Sequence, residues 1–474
     1  MTERPSDKRE IMIEKQICEK IIARVLASGA DYAEIYAEDK KSDLVSVISG
    51  NVENALSGRT VGAGIRAIKG TNSVYAYGND ISEKGLSAVA DKVCDAVGSI
   101  GKSGIDVVLS PVKFPVICPV IIPPCDVEAK KRTEYLKRGC LAAKAYSEEV
   151  KQVTGSLSVS DKNVLVANSD GVYGEDRRAY VRIFISAVAS DGRENQNGRF
   201  SPGTCGGFEY FDTIDPEEGG RFAARQAVTM LHAGKCPAGK MPVIMGGGFG
   251  GVIFHEACGH SLEATSVAKG NSVFCGKLGQ KIANEKVTAY DDGTMTGQWG
   301  SIAMSDEGEK STRILLIENG ILKNYMIDKL GSIRMGMPST GSGRRQDYSY
   351  APTSRMTNTY IAAGTDKEED IFASVDNGLY AAHMGGGSVN PVTGEFNFSV
   401  QEGYLIKNGK IAEPVRGATL IGKGAEVLMN IDMVSDNMTL AQGMCGSSSG
   451  SIPTNVGQPT IRISNILVGG DVNA

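Results

Sequence analysis

The chain contains 474 residues, of which 41% are hydrophobic and 22% are charged, and these proportions are those of a globular protein. The formal net charge is −5 at pH 7 and the basic clusters are short, which excludes the broad cationic surface that binds nucleic acid. A chain of this length exceeds what one hydrophobic core usually supports, so two domains are expected.

Two segments and the cysteine content bear on localisation. Residues 1–10 contain no apolar run of the kind found in a secretory signal peptide. Residues 114–124 are the most apolar stretch, but they are few and include four prolines, so we expect no membrane span. Ten cysteines favour a disulfide scaffold only in a short secreted chain. We therefore expect free thiols, a cytoplasmic location and no membrane partner.

The first half of the chain predicts an antiparallel sheet covered by helices. Apolar residues recur at helical spacing, and this pattern predicts helices over residues 11–27, 82–97, 127–147 and, as a connecting helix, 216–233. Alternating and β-branched runs predict strands over residues 32–36, 44–49, 62–68, 73–76, 153–160, 163–167 and 180–189.

The second half of the chain predicts mostly strands. Residues 314–322 and 403–411 each contain an Asn-Gly pair between apolar runs, which is typical of a tight hairpin. Further strands are predicted over residues 359–362, 396–399, 419–421 and 459–468. The prediction is therefore an α+β fold: an N-terminal domain over residues 1–235 with a helix-covered antiparallel sheet, and a C-terminal domain over residues 236–474 that is barrel-like or a β-sandwich.

The C-terminal domain carries the most informative segment, HEACGH at residues 255–260, which holds two of the four histidines and a carboxylate. Imidazole is a favoured zinc ligand, and a glutamate beside it is the usual general base of a metallopeptidase. Side chains five residues apart point about 140° apart on a regular helix. Both histidines therefore reach one metal only through a π-type widening or fraying at Gly259. Alternatively, the histidines are unrelated and Glu256 simply pairs with His260 along the helix.

The sequence offers further candidates around this segment. Residues 246–251 are rich in glycine, which we interpret as allowing backbone to approach the helix and a substrate. A phosphate-binding turn is less favoured, because the Lys-Ser/Thr of a P-loop is missing. Catalytic zinc takes three protein ligands. Cys445, in a glycine- and serine-rich loop, can approach a metal without steric cost, although a lone cysteine is more often a small buried hydrophobe.

An ordered set of motifs makes the chain resemble a known family. They are residues 246–251 (GGGFGG), 255–260 (HEACGH), 341–346 (GSGRRQ), 355–360 (RMTNTY), 385–389 (GGGSV), 444–446 (MCG) and 456–460 (VGQPT). With them, the chain resembles the TldD branch of the TldD/PmbA metallopeptidases over nearly its whole length. The sister branch, PmbA/TldE, lacks the histidine motif, which this chain keeps.

The resemblance implies a ligand set and a general base. Zinc would be held by two histidines and a cysteine, which correspond here to His255, His260 and Cys445. Glu256 would take the proton of the attacking water and later give it to the departing amine.

An additional oxyanion donor is expected, because a thiolate ligand makes zinc less electrophilic. The candidates for this role, and so for substrate binding, are Arg344, Arg345 and Tyr348.

The resemblance also implies small or unfolded peptides as substrates, held by their backbone in a chamber between two related subunits. The partner is either a second copy of the chain or a PmbA/TldE-like paralogue. Pairing of an extended peptide with an exposed sheet edge would provide sequence-independent binding. Gly386 and Gly387 belong to a stretch that either allows this approach or forms a plain turn.

Two alternatives remain open from the sequence. Dipeptidyl peptidase III also uses an H-E-x-x-G-H motif, but the acidic helix that supplies its third ligand has no counterpart in this chain. The second alternative is a non-catalytic dimeric protein, regulatory or chaperone-like, in which the metal motif is vestigial.

Overall fold

The computed structural model describes residues 12–98, 105–390 and 393–471. The helices in these residues are α1 (Lys15–Ala27), α2 (Glu83–Val97), α3 (Ala129–Ala145), α4 (Pro216–Leu231), α5 (Val252–Phe254), α6 (Ala264–Val267), α7 (Lys329–Met335), α8 (Glu368–Ala373) and α9 (Gly424–Asn430). All four predicted helices are confirmed, with ends that move by a few residues, although residue 11 lies outside the described residues.

The strands fall into an N-terminal and a C-terminal set. The first set is β1 (Tyr32–Ile48), β2 (Asn51–Lys69), β3 (Asn72–Gly78), β4 (Ser110–Val112), β5 (Val150–Asn168), β6 (Val172–Ser190), β7 (Asn195–Phe200) and β8 (Gly203–Cys205). The second set is β9 (Gly234–Lys235), β10 (Gly239–Met245), β11 (Ala289–Asp292), β12 (Arg313–Glu318), β13 (Ile321–Leu322), β14 (Gly343–Arg344), β15 (Thr353–Ser354), β16 (Asn358–Ile361), β17 (Asn377–Val389), β18 (Glu395–Lys407), β19 (Lys410–Arg416), β20 (Thr419–Lys423), β21 (Ile431–Val434), β22 (Thr439–Ser447), β23 (Gly450–Gln458) and β24 (Ile461–Gly469).

The N-terminal strands form one sheet in the order β3-β2-β1-β5-β6-β4, with β7 and β8 also paired to β6. All its pairs are antiparallel except β4 with β6. Helices α1 and α2 pack on β1 to β3, and α3 and α4 pack on β5 to β7, each pair over its own apolar cluster. The helix-covered antiparallel sheet is therefore confirmed.

Several strands of this sheet are longer than the sequence predicts. Residues 37–43 and 161–162 are polar and were expected to interrupt the strands, but β1 and β5 run through them without a break. Opposite charges on neighbouring strands meet there: Arg59 donates to Asp39 at 2.7 Å and Arg177 donates to Asp161 at 2.6 Å. Such cross-strand pairs stabilise a polar strand segment that hydrophobic periodicity does not detect.

The C-terminal strands form a closed ring and a second sheet. Strands β17, β10, β24, β20 and β18 follow one another, and β17 also pairs with β18, which closes the ring. The second sheet has the order β13-β12-β11-β16-β23-β22. One large apolar core lies between the two. The predicted α+β class and barrel-like C-terminal region are confirmed. So are both Asn-Gly hairpins, in which Asn319 and Asn408 adopt φ of 49° and 51°.

The second face of the N-terminal sheet packs against the C-terminal half of the chain. Along β1, Glu34 and Tyr36 point to this face, opposite the helices, and both are completely buried. Arg66 on β2 donates to Glu34 at 2.7 Å and to Glu307 at 2.6 Å, and Arg345 donates to Glu34 at 2.6 Å. Charged groups therefore join the two halves in the interior, where each depends on its partner for solvation.

Within the parts of the chain that the structure describes, no helix has both the length and the apolar character required to cross a bilayer.

The buried ion pairs predict that substitutions of two arginines on the same strand lower the free energy of unfolding by different amounts. Replacing Arg66 with Met leaves two buried carboxyl groups without their shared cation, so we expect the free energy of unfolding to fall by about 3–5 kcal/mol. Arg59→Met is the matched control, because its pair with Asp39 is solvent-exposed and is worth about 1 kcal/mol or less. Urea unfolding measures both variants. Equal losses of stability would contradict the importance of the buried pairs.

Candidate metal centre

The two histidines of the HEACGH segment lie on a widened helical turn. Helix α5 continues into a π-helical turn over His255–Gly259 and then a 3-10 turn over His260–Leu262. The π turn is one of the two alternative distortions that the five-residue spacing predicted, the other being fraying at Gly259. It brings the imidazole centroids to 5.2 Å with the ring planes 86° apart. Both Nε2 atoms then lie 3.3 Å from the Sγ atom of Cys445.

Cys445 reaches this turn on the β22–β23 hairpin, where it is paired with Ile452. The hairpin lies directly against the glycine-rich turn that precedes α5. A Cβ atom on Gly251 would lie 2.5 Å from the backbone nitrogen of Gly457, and one on Gly250 would lie 2.6 Å from the side chain of Gln458. Glycine is therefore required for this contact with β23. The predicted approach of the glycine turn to a substrate stays a prediction.

Arg355 fixes the end of the same hairpin. Its guanidinium group is completely buried and donates to the carbonyl oxygens of Cys445 and Gly450 and to the hydroxyl of Ser449 at 2.8 Å. These contacts hold the turn that follows Cys445, so Arg355 positions the thiol without touching it. Arg355 lies within one of the motifs that carry the family resemblance, but its role could not be read from the sequence.

The donor atoms of His255, His260 and Cys445 all lie within 4.8 Å of one another and form a group able to hold a metal ion. Nitrogen and sulfur atoms that share a tetrahedral zinc ion are about 3.5 Å apart, given bond lengths near 2.0–2.3 Å. The observed separations of 3.3 Å are close to that value. Imidazole nitrogen and thiolate sulfur are also donors that zinc prefers, so geometry and chemistry both fit zinc.

The electrostatics of the group favour a thiolate. Burial raises the pKa of Cys445, but the charges and hydrogen bonds of His255 and His260 outweigh burial and lower this pKa to about 3. Burial lowers the pKa of His260, whereas Glu263 and Cys445 together raise it well above its ordinary value. The thiol is thus ready to act as an anionic ligand at neutral pH.

Glu263 orients one of the two imidazole rings. Its Oε2 atom lies 3.1 Å from Nδ1 of His260, which leaves Nε2 of that ring facing the sulfur. Glu263 was not among the functional residues predicted from the sequence. Its spacing of three residues from His260 was the available signal for a helix-face contact. His255 differs, because its buried Nδ1 has no hydrogen-bond partner among the described residues.

Glu256 lies beside the donor group and remains accessible to water. Its Oε2 atom is 3.7 Å from Nε2 of His260, and 29% of its side chain is exposed. The helix-face pair that the sequence offered as an alternative therefore exists, and it coexists with the His/His/Cys group. The carboxylate stands next to the point on which the three donors converge.

The two arginines named as oxyanion donors are buried in structural contacts. Arg344 donates to the carbonyl oxygens of Met356 and Pro453. Arg345 donates to Glu34 and lies over the ring of Tyr36 at 4.3 Å. Both guanidinium groups already have protein acceptors, and their role as oxyanion donors stays a prediction.

The other predicted substrate contacts lie in different places. Tyr348 belongs to the contact with the N-terminal sheet, where its carbonyl accepts a hydrogen bond from Tyr75 at 2.6 Å. Gly386 and Gly387 lie on β17 opposite β18, and Gly386 borders a cleft beside β22. A Cβ atom on Gly387 would lie 2.1 Å from the carbonyl oxygen of Asn397, whereas the space at Gly386 is open.

Fold and site define an α+β protein with a candidate metal centre of two imidazoles and one thiolate. The chain belongs to the PmbA/TldA metallopeptidase family, whose models for domain 1, the central domain and the C-terminal domain match residues 33–97, 122–231 and 238–470.

Relatives and a solved structure agree with this assignment. A Haemophilus influenzae protein named Metalloprotease TldD homolog is 37% identical over 452 residues, which cover 93% of each chain. A Saccharolobus solfataricus protein named Zinc metalloprotease TldD homolog is 31% identical, over 69% of this chain and 68% of its own. The structure of TldE from Thermococcus kodakarensis has the same fold, with a TM-score of 0.75, 19% identity, and coverage of 96% of this chain and 100% of its own.

The low pKa of Cys445 can be measured on metal-free protein. We expect one thiolate to absorb in the ultraviolet at neutral pH, because this thiol protonates only near pH 3 rather than at the usual pKa of about 8.5. The signal should disappear in Cys445→Ser. Cys140→Ser is the control, since burial raises the pKa of Cys140 to about 11 and its removal should change nothing. An unchanged signal in Cys445→Ser would refute the assignment.

Proposed function

We propose that the protein is a zinc-dependent peptidase that hydrolyses small or unfolded peptides. His255, His260 and Cys445 hold the zinc ion, and Glu256 is the general base. The observation that carries the proposal is the convergence of two imidazole nitrogens and a thiolate from distant parts of the chain, with an accessible carboxylate beside them. The names of the relatives, which are metalloproteases, support the same activity.

Different side chains of the protein would have separate roles in hydrolysis. Lewis acidity is the chemistry that bound zinc supplies at such a site, activating water and polarising a carbonyl. Glu256 accepts the proton of the attacking water and returns it to the departing amine, a role for which its partial exposure gives access to both. Glu263 holds His260 in one orientation and tautomer, so that the same nitrogen always faces the metal.

The peptide would bind along β17. Residues 379–381 of this strand pair with β10, but residues 383–389 pair only with β18 among the described strands, so their other edge is available. The edge of β22 is less suitable, because the carbonyl of Gly443 already accepts from Trp299 at 2.9 Å and that of Cys445 accepts from Arg355. Main-chain hydrogen bonds at β17 would hold the peptide by its backbone, so peptides of many sequences would be able to bind.

A related subunit would complete the site, either as a second copy of the chain or as a PmbA/TldE-like paralogue, and would enclose the peptide in a chamber. We propose that the enzyme works in the cytoplasm, which agrees with ten free thiols. The non-catalytic scaffold is not favoured, because a vestigial motif has no reason to retain both a buried His/His/Cys group and the glutamate that orients one histidine.

Metal content separates the peptidase from the scaffold. Purified full-length protein should contain close to one zinc ion per chain, and Cys445→Ser should lose most of it because the anionic ligand is gone. Cys258→Ser is the matched control, since Cys258 is also buried and lies within the π turn but is not one of the three donors. Elemental analysis after dialysis measures the content. Wild-type protein without zinc would favour the scaffold.

Substitutions of the two glutamates that flank His260 are predicted to affect different properties, one hydrolysis and the other zinc binding. Glu256→Gln should abolish peptide hydrolysis and leave zinc bound, because it removes the base and no ligand. Glu263→Gln should weaken zinc binding by about 10–100-fold and regain activity as zinc is added, because it disturbs the orientation of a ligand. Peptide cleavage and chelator competition measure the two effects. Full activity in Glu256→Gln would show that the base is misassigned.

A further inference from the structure

Two clefts lie on either side of the hairpin that carries Cys445, and they share Arg182 and Met444 as lining residues. One, of about 660 Å³, lies between the N-terminal sheet and the hairpin. The other, of about 530 Å³, lies between β6, β7 and α4 on one side and β17 and β22 on the other. Met444 directly precedes Cys445 on β22, so both clefts border the strand that carries the thiol.

Arg182, on β6, is held firmly at the junction of these clefts. Its Nε and Nη2 atoms donate to the hydroxyl of Ser201 at 3.1 and 2.7 Å, and its guanidinium carbon lies 5.3 Å from the centroid of Trp299. Trp299 in turn donates to the carbonyl of Gly443 on β22. The positive charge is therefore fixed in position relative to the strand that carries Cys445.

Arg182 differs from the fully buried arginines of the described residues in its partners. Arg66, Arg132, Arg178 and Arg345 each donate to at least one carboxylate, and Arg344 and Arg355 donate to backbone carbonyl oxygens. Arg182 is half-buried and, among the described residues, donates only to a neutral hydroxyl, and burial lowers the pKa of its guanidinium group. A partly buried positive charge without a counter-ion is a favourable position for an anionic ligand.

The surroundings of Arg182 are also positive, although the chain as a whole carries a charge of −5. The cleft beside β17 includes Arg199 in its lining but no aspartate or glutamate among the described residues. His383 also lines it, but burial lowers the pKa of its imidazole, which lies 3.7 Å from Glu402. The other cleft includes Lys40 and one carboxylate, Asp43, which already accepts from Arg132 at 2.6 Å. An anion entering either cleft therefore meets uncompensated positive charge.

We propose that Arg182 binds a carboxylate of the peptide substrate, and so favours peptides that present an acidic group to these clefts. This inference rests on the proposed function for its substrate class. The carboxylate is either the C-terminal carboxylate of a short peptide or an aspartate or glutamate side chain. Ser201 and Trp299 hold the guanidinium plane in place, and guanidinium groups bind carboxylates with charge-assisted hydrogen bonds.

Trp299 makes the binding step directly measurable, because it is the only tryptophan of the protein. Its fluorescence would be followed in full-length Glu256→Gln protein, in which cleavage does not consume the ligand. The probes are a short alanine peptide with a free C-terminus, its C-terminal amide, and the amide with one internal glutamate. Calorimetry on the same samples measures affinity independently of the optical signal.

We expect at least one carboxylate-bearing probe to bind about 10-fold more tightly than the neutral amide, as charged hydrogen bonds predict. Preference for the free C-terminus identifies that group, and preference for the internal glutamate identifies a side chain. Arg182→Gln should abolish the preference, and Arg182→Lys, which keeps the charge but not the planar fork, should retain part of it. Arg193→Gln is the control, because Arg193 is exposed and lines neither cleft.

Equal affinity for all three probes would overturn the proposal, and so would a preference that survives in folded Arg182→Gln. Circular dichroism confirms folding, and Arg182→Lys keeps the test decisive if the glutamine variant does not fold. The outcome is separable from that of the peptidase assay. A carboxylate preference in a protein without zinc-dependent hydrolysis would leave Arg182 as an anion site and reject the peptidase, whereas hydrolysis without the preference would reject only the role of Arg182.

Discussion

The candidate centre depends on one backbone contact, that of the glycine turn before α5 with strand β23. Gly251 and Gly457 lie so close that a single Cβ atom at residue 251 could not be accommodated. Through this contact, the hairpin and the widened helix become one unit, and Cys445 arrives at the two histidines from nearly two hundred residues away in the chain. The convergence of the three donor atoms follows from that approach.

The centre also relies on charge that is balanced locally. Three titratable donors lie together in the interior, and each is stabilised by another: the thiolate by the imidazoles, and His260 by Glu263. A positive ion is the natural addition to such a group, because it compensates the anionic sulfur and carboxylate where water does not. Glu256, partly exposed beside them, keeps contact with solvent.

The junction between the two halves of the chain also contains buried charges that balance one another. Arg66 and Arg345 share Glu34, and all three groups are completely buried. Buried pairs of this kind contribute little net stability, but they penalise any arrangement in which a partner is missing. They therefore fix how the N-terminal sheet meets the C-terminal half. Because the clefts beside Cys445 have walls from both halves, the same pairs set the position of Arg182 relative to the hairpin.

The sequence by itself determined the features that depend on residues close together in the chain. Helical periodicity placed the four long helices, Asn-Gly pairs placed two hairpins, and the five-residue spacing of His255 and His260 required a distorted helix. The sequence identified Cys445 as a metal ligand only through the resemblance to a known family. Tertiary structure decided the rest: it extended β1 through a polar segment, buried Arg344 and Arg345 in structural contacts, and left Arg182 without a carboxylate. The reason is physical, since pairing of charges across strands and the loss of solvent around a side chain depend on neighbours that are remote in sequence.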